Sequence, residues 1–423
     1  MSAPAAGASA TQPRPEVRTG LAAPTLASRR LAERFQNIED LRREAKRRLP
    51  KGVFEFFDRG SEDEISLAEN RAAFRRIKLR NKVLVDVSNR SPRSELFGKP
   101  LAMPLVVAPT GIAGLTWYMG ELELARAAQR FGVPFTLATP SITSIETIAQ
   151  VEGGRNWFQL YMWRDREASY QLVKRARDAG FEALILTVDT QVSPIREYNR
   201  RNGFNSPFTF NWKIAADVAM HPGWLLNVLL PYMRTTGMPR PIHYPKGSAG
   251  RATSGLAGMA SAMRGDDLSW DDIARLREIW PGPMMIKGVH LPEDAERAVK
   301  EGLDGVILSN HGGRNLDGAV SPIEILPEIV AAVGNRTNVL IDSGVRRGSD
   351  ILKALALGAK AVLSGRCGLY GTAVGGQEGA LHALSILRKE LDTSMAYTGC
   401  RSVDEAGPRT VWLGPETTLG RDR

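Results

Sequence analysis

The chain has 423 residues, 43% hydrophobic and 24% charged, which is enough for one large core or two modest ones and excludes a collagenous or wholly disordered protein. Its 56 basic residues against 46 acidic give a net charge of +10, suiting an anionic substrate, an anionic cofactor, an acidic membrane surface or nucleic acid. The basic clusters Arg29-Arg30, Arg42 to Arg48 and Arg200-Arg201 lack interleaved aromatics, so no nucleic-acid partner is expected.

No window reaches the roughly 18 uninterrupted apolar residues of a membrane-spanning helix, and the N-terminus lacks the apolar core of a secretory signal. Cys367 and Cys400 have no metal-ligand spacing and make no disulfide framework. A reducing, cytoplasmic compartment and no metal site are the expectation.

Residues 1–28, rich in Ala, Pro, Ser and Thr, hold too few large apolar side chains to offset the entropy of ordering, so a disordered arm is expected there. Between Leu31 and Leu49 apolar residues recur at helical spacing among Glu, Arg and Lys, which predicts one solvent-facing helix. Residues 29–403 then read as one domain and 404–423 as a tail.

Eight short, nearly continuous apolar runs follow: "PLVVAP" (104–109), "VPFTLA" (133–138), "WFQLY" (157–161), "ALILTVD" (183–189), "MMIKG" (284–288), "GVILSN" (305–310), "NVLIDS" (338–343) and "AVLSGR" (361–366). Strands buried on both faces have this pattern. Segments such as "GELELARAAQRFG", "REASYQLVKRARDAG", "PEDAERAVKEG" and "SDILKALALGA" between them read as helices, opened by acidic or capping residues and mostly closed by glycine. Eight strands alternating with helices predict an α/β fold, a (β/α)8 TIM barrel with an N-terminal helical extension. A doubly wound sheet would announce its nucleotide site by G-x-G-x-x-G after an early strand, and that motif is absent. The gap between the fourth and fifth runs is too long for a barrel connection, so an insertion is expected at about 205–265.

In a barrel the strand C-termini meet on one face, which makes the residues ending the runs a site prediction. They are Pro109-Thr110-Gly111, Thr139 to Ser141, Gln159 and Tyr161, Thr187 and Asp189, Lys287, His311 and Arg314, Asp342 to Arg346, and Gly365-Arg366. "DSGVRRG" and "LSGR" place glycines and arginines after the last two strands, where barrels commonly hold a phosphate through backbone amides and a helix N-terminus. Two tight turns with surface arginines are the plain alternative.

"SNHGGRNLDG" (309–318), taken with "LTVDT", "REYNRRNGF", "WFQLY", "IKGV", "DSGVRRG" and "LSGR" in this order, resembles the FMN-dependent 2-hydroxy acid dehydrogenases and oxidases, over about residues 35–403. The resemblance implies FMN as cofactor and oxidation of an L-2-hydroxy acid to the 2-oxo acid by hydride transfer to flavin N5. It implies His311 as general base, Asp189 holding the imidazole, Tyr161 assisting at the reacting carbon, and Arg314 and Arg196 gripping the substrate carboxylate. It sets Lys287 beside flavin N1, Gln159 and Thr187 against the isoalloxazine, and Asp342, Gly344, Arg346, Gly365 and Arg366 at the ribityl phosphate. Pro109, Thr110, Gly111, Thr139 and Ser309 complete the cofactor contacts, with Ala138 standing where many members carry serine and Thr139 next door as its substitute.

Two departures refine the expectation. In "FEFFDRGSED" Phe56 occupies the position of a family tyrosine whose hydroxyl binds the substrate carboxylate, which points to a larger or more apolar acid. Gly111 matches the dehydrogenases, where peroxide-producing oxidases tend to have alanine, so a quinone or protein acceptor is expected over oxygen. Within the insertion "HPGWLLNVLLPYM" (221–233) is too short to cross a bilayer but long enough to lie at an interface, as in members docked on the inner face of the cell membrane. Covering the active site or an oligomer contact is the other use of that stretch. A homotetramer is implied by the family, and a non-catalytic FMN-binding barrel or an α-amino or peptide-derived substrate are the remaining alternatives.

Overall fold

The computed structural model describes residues 26–204, 212–244 and 265–414. Eight parallel strands close a barrel in sequence order: β1 (Leu105–Val107), β2 (Phe135–Ala138), β3 (Asn156–Leu160), β4 (Ala183–Thr187), β5 (Met284–Val289), β6 (Gly305–Leu308), β7 (Asn338–Ile341) and β8 (Ala361–Ser364). Each occupies one of the eight runs expected from sequence. β8 pairs with β1 through Ser364 and Val107, which seals the ring and leaves no free edge.

Side chains alternate across each strand, and both faces are buried. Val106, Trp157, Ile185, Met285, Ile307, Leu340 and Leu363 form a cluster inside the barrel, while neighbours such as Val107, Phe158, Leu186, Ile286, Leu308 and Val362 pack in the outer cluster with the helices. A hairpin of Ser94–Leu96 and Lys99–Leu101 adds Leu96 and Leu101 to the inner cluster and lays Phe97 against Trp157, closing the N-terminal end.

Among the described residues four helices precede the barrel: α1 (Leu26–Arg34), α2 (Ile38–Arg48), α3 (Lys51–Asp58) and α4 (Ile65–Arg76). The single helix expected from 31 to 49 is two, because Asn37 accepts a hydrogen bond from Asp40 N at 3.0 Å and caps a fresh start at α2. The arm expected over 1–28 lies outside the described residues except for its last three, which open α1. Residues 415–423 of the tail also lie outside them, whereas Val411–Trp412 pair with Lys78–Leu79.

The described part of the insertion is mostly helical as far as Thr235, with Trp212–Ala219 and then a continuous run from Pro222 to Thr235 through a π-helical turn at Leu225–Leu229. Trp224 Nε1 donates to Leu115 O at 2.7 Å, and the buried Tyr232 hydroxyl accepts from Met119 N at 2.9 Å. The returning chain docks on the loop after β2, where Ile242 N donates to Ser141 O at 3.0 Å and the His243 ring nitrogen Nδ1 to Thr139 O at 3.1 Å. Among the described residues no helix is long and apolar enough to cross a membrane.

His243 is buried and its Nε2 has no hydrogen-bond partner among the described residues, and burial pushes its pKa from 6.5 down to about 4. The unfolded chain takes up the proton near 6.5 and the folded chain resists it, so the docked insertion loses stability as pH falls from about 6.5 towards 4. Limited proteolysis of wild type and His243→Phe across that window should show wild-type insertion cleavage accelerating on acidification and a flatter profile in the variant. Identical profiles would refute the assignment.

Candidate active site

The alternation that fills the barrel lumen also builds the site. Two residues beyond Trp157, Ile185, Met285 and Leu340 come Gln159, Thr187, Lys287 and Asp342, on the same inward face but at the C-terminal mouth. They line a cavity of about 630 Å³ together with Pro109, Thr110, Gly111, Tyr161, Arg196, His311, Arg314, Gly344, Arg346, Gly365, Arg366 and Phe56.

His311 follows β6 in the left-handed region with φ 58°, and Gly312 and Gly313 continue there at 70° and 71°. That run explains the paired glycines, since a side chain at 313 would also strike the backbone of Leu67. A histidine held in this conformation costs about 1–3 kcal/mol, so the surroundings must fix it. They do: His311 N donates to Ser309 Oγ at 3.0 Å, and Nδ1 lies 3.1 Å from Asp189 Oδ1 and 3.2 Å from Oδ2.

Burial pushes the Asp189 carboxyl up, but His311 and Lys287 outweigh burial and hold it below its ordinary value. Burial pushes His311 down, opposed by Asp189 and reinforced by Lys287. An anionic Asp189 therefore faces a neutral imidazole, which places the ring proton on Nδ1 and leaves the Nε2 lone pair towards the cavity. Tyr161 OH donates to that Nε2 at 3.2 Å. Asp189 itself stands behind the ring, outside the cavity lining, with its backbone carbonyl held by Asn315 Nδ2 at 2.8 Å.

Lys287 is buried, its Nζ 2.7 Å from Ser309 Oγ and 3.1 Å from Asp342 Oδ2. Burial opposes its charge, and the carboxylates of Asp342 and Asp189 hold its pKa above the ordinary value. Gln159 Nε2 donates to Thr187 Oγ1 at 2.9 Å across neighbouring strands.

Three guanidiniums at the cavity, those of Arg314, Arg346 and Arg366, form no ion pair among the described residues. Arg314 Nη1 donates to the carbonyls of Phe56 at 2.5 Å and Arg59 at 3.0 Å, and Arg366 Nε to Phe57 O at 2.9 Å. The orphan carbonyls at the end of α3 are thus spent on two cations of the site. Arg196 reaches the Arg314 carbonyl through Nη2 at 2.7 Å, which ties its side chain to the backbone of Arg314. The ring of Phe56 packs under the Arg314 guanidinium at 5.1 Å and against Phe57 and Phe204.

Three expectations need correction. Thr139 does not line the cavity, because its hydroxyl donates to Gln159 O at 2.7 Å and accepts from Tyr161 N within the barrel wall, leaving Ala138 and Pro140 as the lining residues. Ser309 also stays off the surface, bridging Lys287 and the backbone of His311. The amides of Arg346 and Arg347 both donate to Asp350 Oδ2 at 3.0 Å, so the turn after β7 caps its own helix and the open N-terminus at the mouth is that of Arg366–Thr398. Sequence reading also missed Asp58, whose partners Arg42 and Tyr370 are 16 and 312 positions away, a separation that no local pattern reveals.

A family profile described as FMN-dependent dehydrogenase matches residues 45–413. The chain belongs to the FMN-dependent dehydrogenases. (S)-mandelate dehydrogenase of Pseudomonas putida is 42% identical over 381 residues, 89% of this chain and 94% of that protein. L-lactate oxidase of a Nostoc species is 42% identical over 373 residues, 87% of this chain and 96% of that protein. A crystal structure of the monotopic membrane protein (S)-mandelate dehydrogenase matches with a TM-score of 0.83 at 41% identity, covering 90% of this chain and all of that one.

The residues fit FMN. Among the described residues, and leaving the exposed rim residue Arg200 aside, Lys287, Arg196, Arg314, Arg346 and Arg366 bring five positive charges to the cavity against the carboxylates of Asp342 in its lining and Asp189 behind it. The excess of three suits one phosphate dianion and one carboxylate. Burial, with Arg314 adding to it, pushes Arg366 down to about 10, the mark of a cation set where an anion is wanted. The phosphate would fall to Arg346, Arg366, Gly344 and Gly365, and the ring system to Gln159, Thr187, Lys287 and the Pro109–Gly111 wall.

Proposed function

We propose that this FMN-dependent dehydrogenase oxidises an L-2-hydroxy acid to the 2-oxo acid, with His311 as general base. The carrying observation is the hydrogen-bonded series Asp189, His311, Tyr161, whose imidazole Nε2 faces a cavity flanked by Arg196 and Arg314. Bound FMN supplies what these side chains lack, a two-electron acceptor for the hydride leaving the α-carbon. Oxidation of an alcohol must also release the hydroxyl proton, and Nε2 is the basic atom available to take it. Asp189 then stabilises the imidazolium that forms, while Tyr161 steadies the oxygen at the reacting carbon. Arg196 and Arg314 clamp the carboxylate so that the alcohol presents its proton to His311.

Phe56 shapes the substrate. Its ring gives the carboxylate end an apolar wall with Phe57 and Ile195 and offers no hydroxyl, which supports a larger or more apolar acid than glycolate or lactate. Gly111 supports a quinone or protein acceptor: a Cβ there would come within 2.7 Å of Pro140 Cγ, so this wall is built for glycine. The homotetramer rests on the family resemblance alone.

The insertion exposes Trp212, Met220, Leu226, Met233 and Met238, which supports peripheral attachment to the inner face of the cell membrane. The mandelate dehydrogenase described as monotopic supports the same reading. Washed membranes should retain the wild-type protein and release a Leu226→Ser/Met233→Ser variant; equal partition of the two would remove membrane attachment from the proposal.

Mixing the yellow protein anaerobically with a panel of 2-hydroxy acids should bleach the flavin, and no bleaching by any of them would end the assignment. His311→Gln should keep the colour and lower the reduction rate by about 10²–10⁴. In wild type the rate should rise with pH to a plateau whose midpoint lies below the ordinary histidine value of 6.5, since the working form is the neutral ring.

Phe56→Tyr restores a donor at the carboxylate, worth about 1.5–3 kcal/mol for a bond to a charged group, or roughly tenfold or more in kcat/KM. That gain is expected for lactate and not for bulky apolar acids. A uniform change across the panel would show that Phe56 does not set substrate size.

A further inference from the structure

The helices preceding the barrel reach the cofactor end of the cavity through one carboxylate. Asp58, the last residue of α3, is 9% exposed and does not line the cavity. Arg42 of α2 takes both its oxygens, Nε to Oδ1 at 2.6 Å and Nη2 to Oδ2 at 2.7 Å. Tyr370, on the first turns of the helix Arg366–Thr398, donates its hydroxyl to Oδ1 at 2.6 Å. Over the face of the Tyr370 ring, 5.0 Å from its centroid, lies the guanidinium of Arg346.

Four side chains thus link an outer helix to a cavity cation, each depending on the one before. Arg42 fixes the carboxylate, the carboxylate fixes the tyrosine hydroxyl, and a ring tethered at its hydroxyl offers a stationary face on which a guanidinium can settle. Burial raises the Asp58 pKa, but its bonds from Arg42 and Tyr370 hold it below the ordinary value, so the Arg42–Asp58 pair is neutral as a whole. The pair therefore contributes position more than field. Arg346 is left without a carboxylate partner among the described residues, its charge available to the cavity.

We propose that Asp58 and Tyr370 are positioning residues for the phosphate end of the cofactor site, holding Arg346 aimed at the phosphate while Arg42 holds Asp58. The proposal rests on the FMN reading of the cavity. It makes cofactor retention depend on the docking of α2 and α3, outside the barrel. An effect carried by Arg346 must act on the phosphate alone, and riboflavin, which lacks it, is the internal control.

The test is a titration of the cofactor-stripped protein with FMN and with riboflavin, followed by flavin fluorescence. Tyr370→Phe keeps the ring and the charge and removes the hydroxyl, with its bond to Asp58 and its own hydrogen-bond interaction with Arg346. The double variant Arg42→Gln/Asp58→Asn keeps net charge and approximate shape and removes the anchor. Each should raise the Kd for FMN by about tenfold, the scale of one well-aimed charge-assisted bond, and leave that for riboflavin within about twofold. In an Arg346→Ala background the Tyr370→Phe effect should vanish. Equal weakening of both flavins would mean a general structural role and overturn the proposal, as would unchanged FMN affinity or an effect that persists without Arg346. Failure of the wild-type protein to bind either flavin would overturn the FMN reading itself.

Discussion

Closing eight parallel strands into one ring forces every strand to send alternate side chains into a lumen filled by apolar side chains, and the position of each polar group at the mouth follows from that constraint. Ile185 and Met285 plug the interior, so Thr187 and Lys287, two residues on, must emerge on the same side one layer higher. A shift of register by one residue would send Lys287 into the helix layer, where a cation has no partner. Barrel packing and site assembly are therefore one requirement.

Once the strands deliver them, the charged groups are balanced against one another and against α3. Lys287 tolerates full burial because Asp342 and Asp189 surround it, and Asp189 tolerates burial because Lys287 and His311 do. The guanidiniums of Arg314 and Arg366 lean instead on backbone carbonyls at the α3 terminus, which satisfy hydrogen bonds without cancelling charge. Satisfied donors with uncancelled charge are what an anion-binding cavity needs, since it must hold its shape before the anion arrives.

The strands were legible because doubly buried strands leave unbroken apolar runs, and strand ends in a barrel converge whatever their distance along the chain. His311, Lys287 and the arginines followed from that rule, supported by family resemblance. What stayed hidden depends on side-chain direction or distant pairing. Thr139 ends a strand as a site residue should, yet its hydroxyl is taken by the carbonyl of Gln159 on the neighbouring strand. Asn37 interrupts a helical pattern that continues on both sides, because one capping side chain outweighs periodicity locally. No local pattern singles out Asp58, and only the fold brings Tyr370 to it.

The insertion shows how an excursion from a barrel can remain part of its site. Its helices lie over the loop after β1, with Trp224 and Tyr232 bonded to backbone at Leu115 and Met119, and its returning chain is tied to Thr139 and Ser141 after β2. Pro140, between those two anchors, and Gly111, against Pro140, both line the cavity. The insertion is thus joined to the cavity wall at Pro140 through two hydrogen bonds.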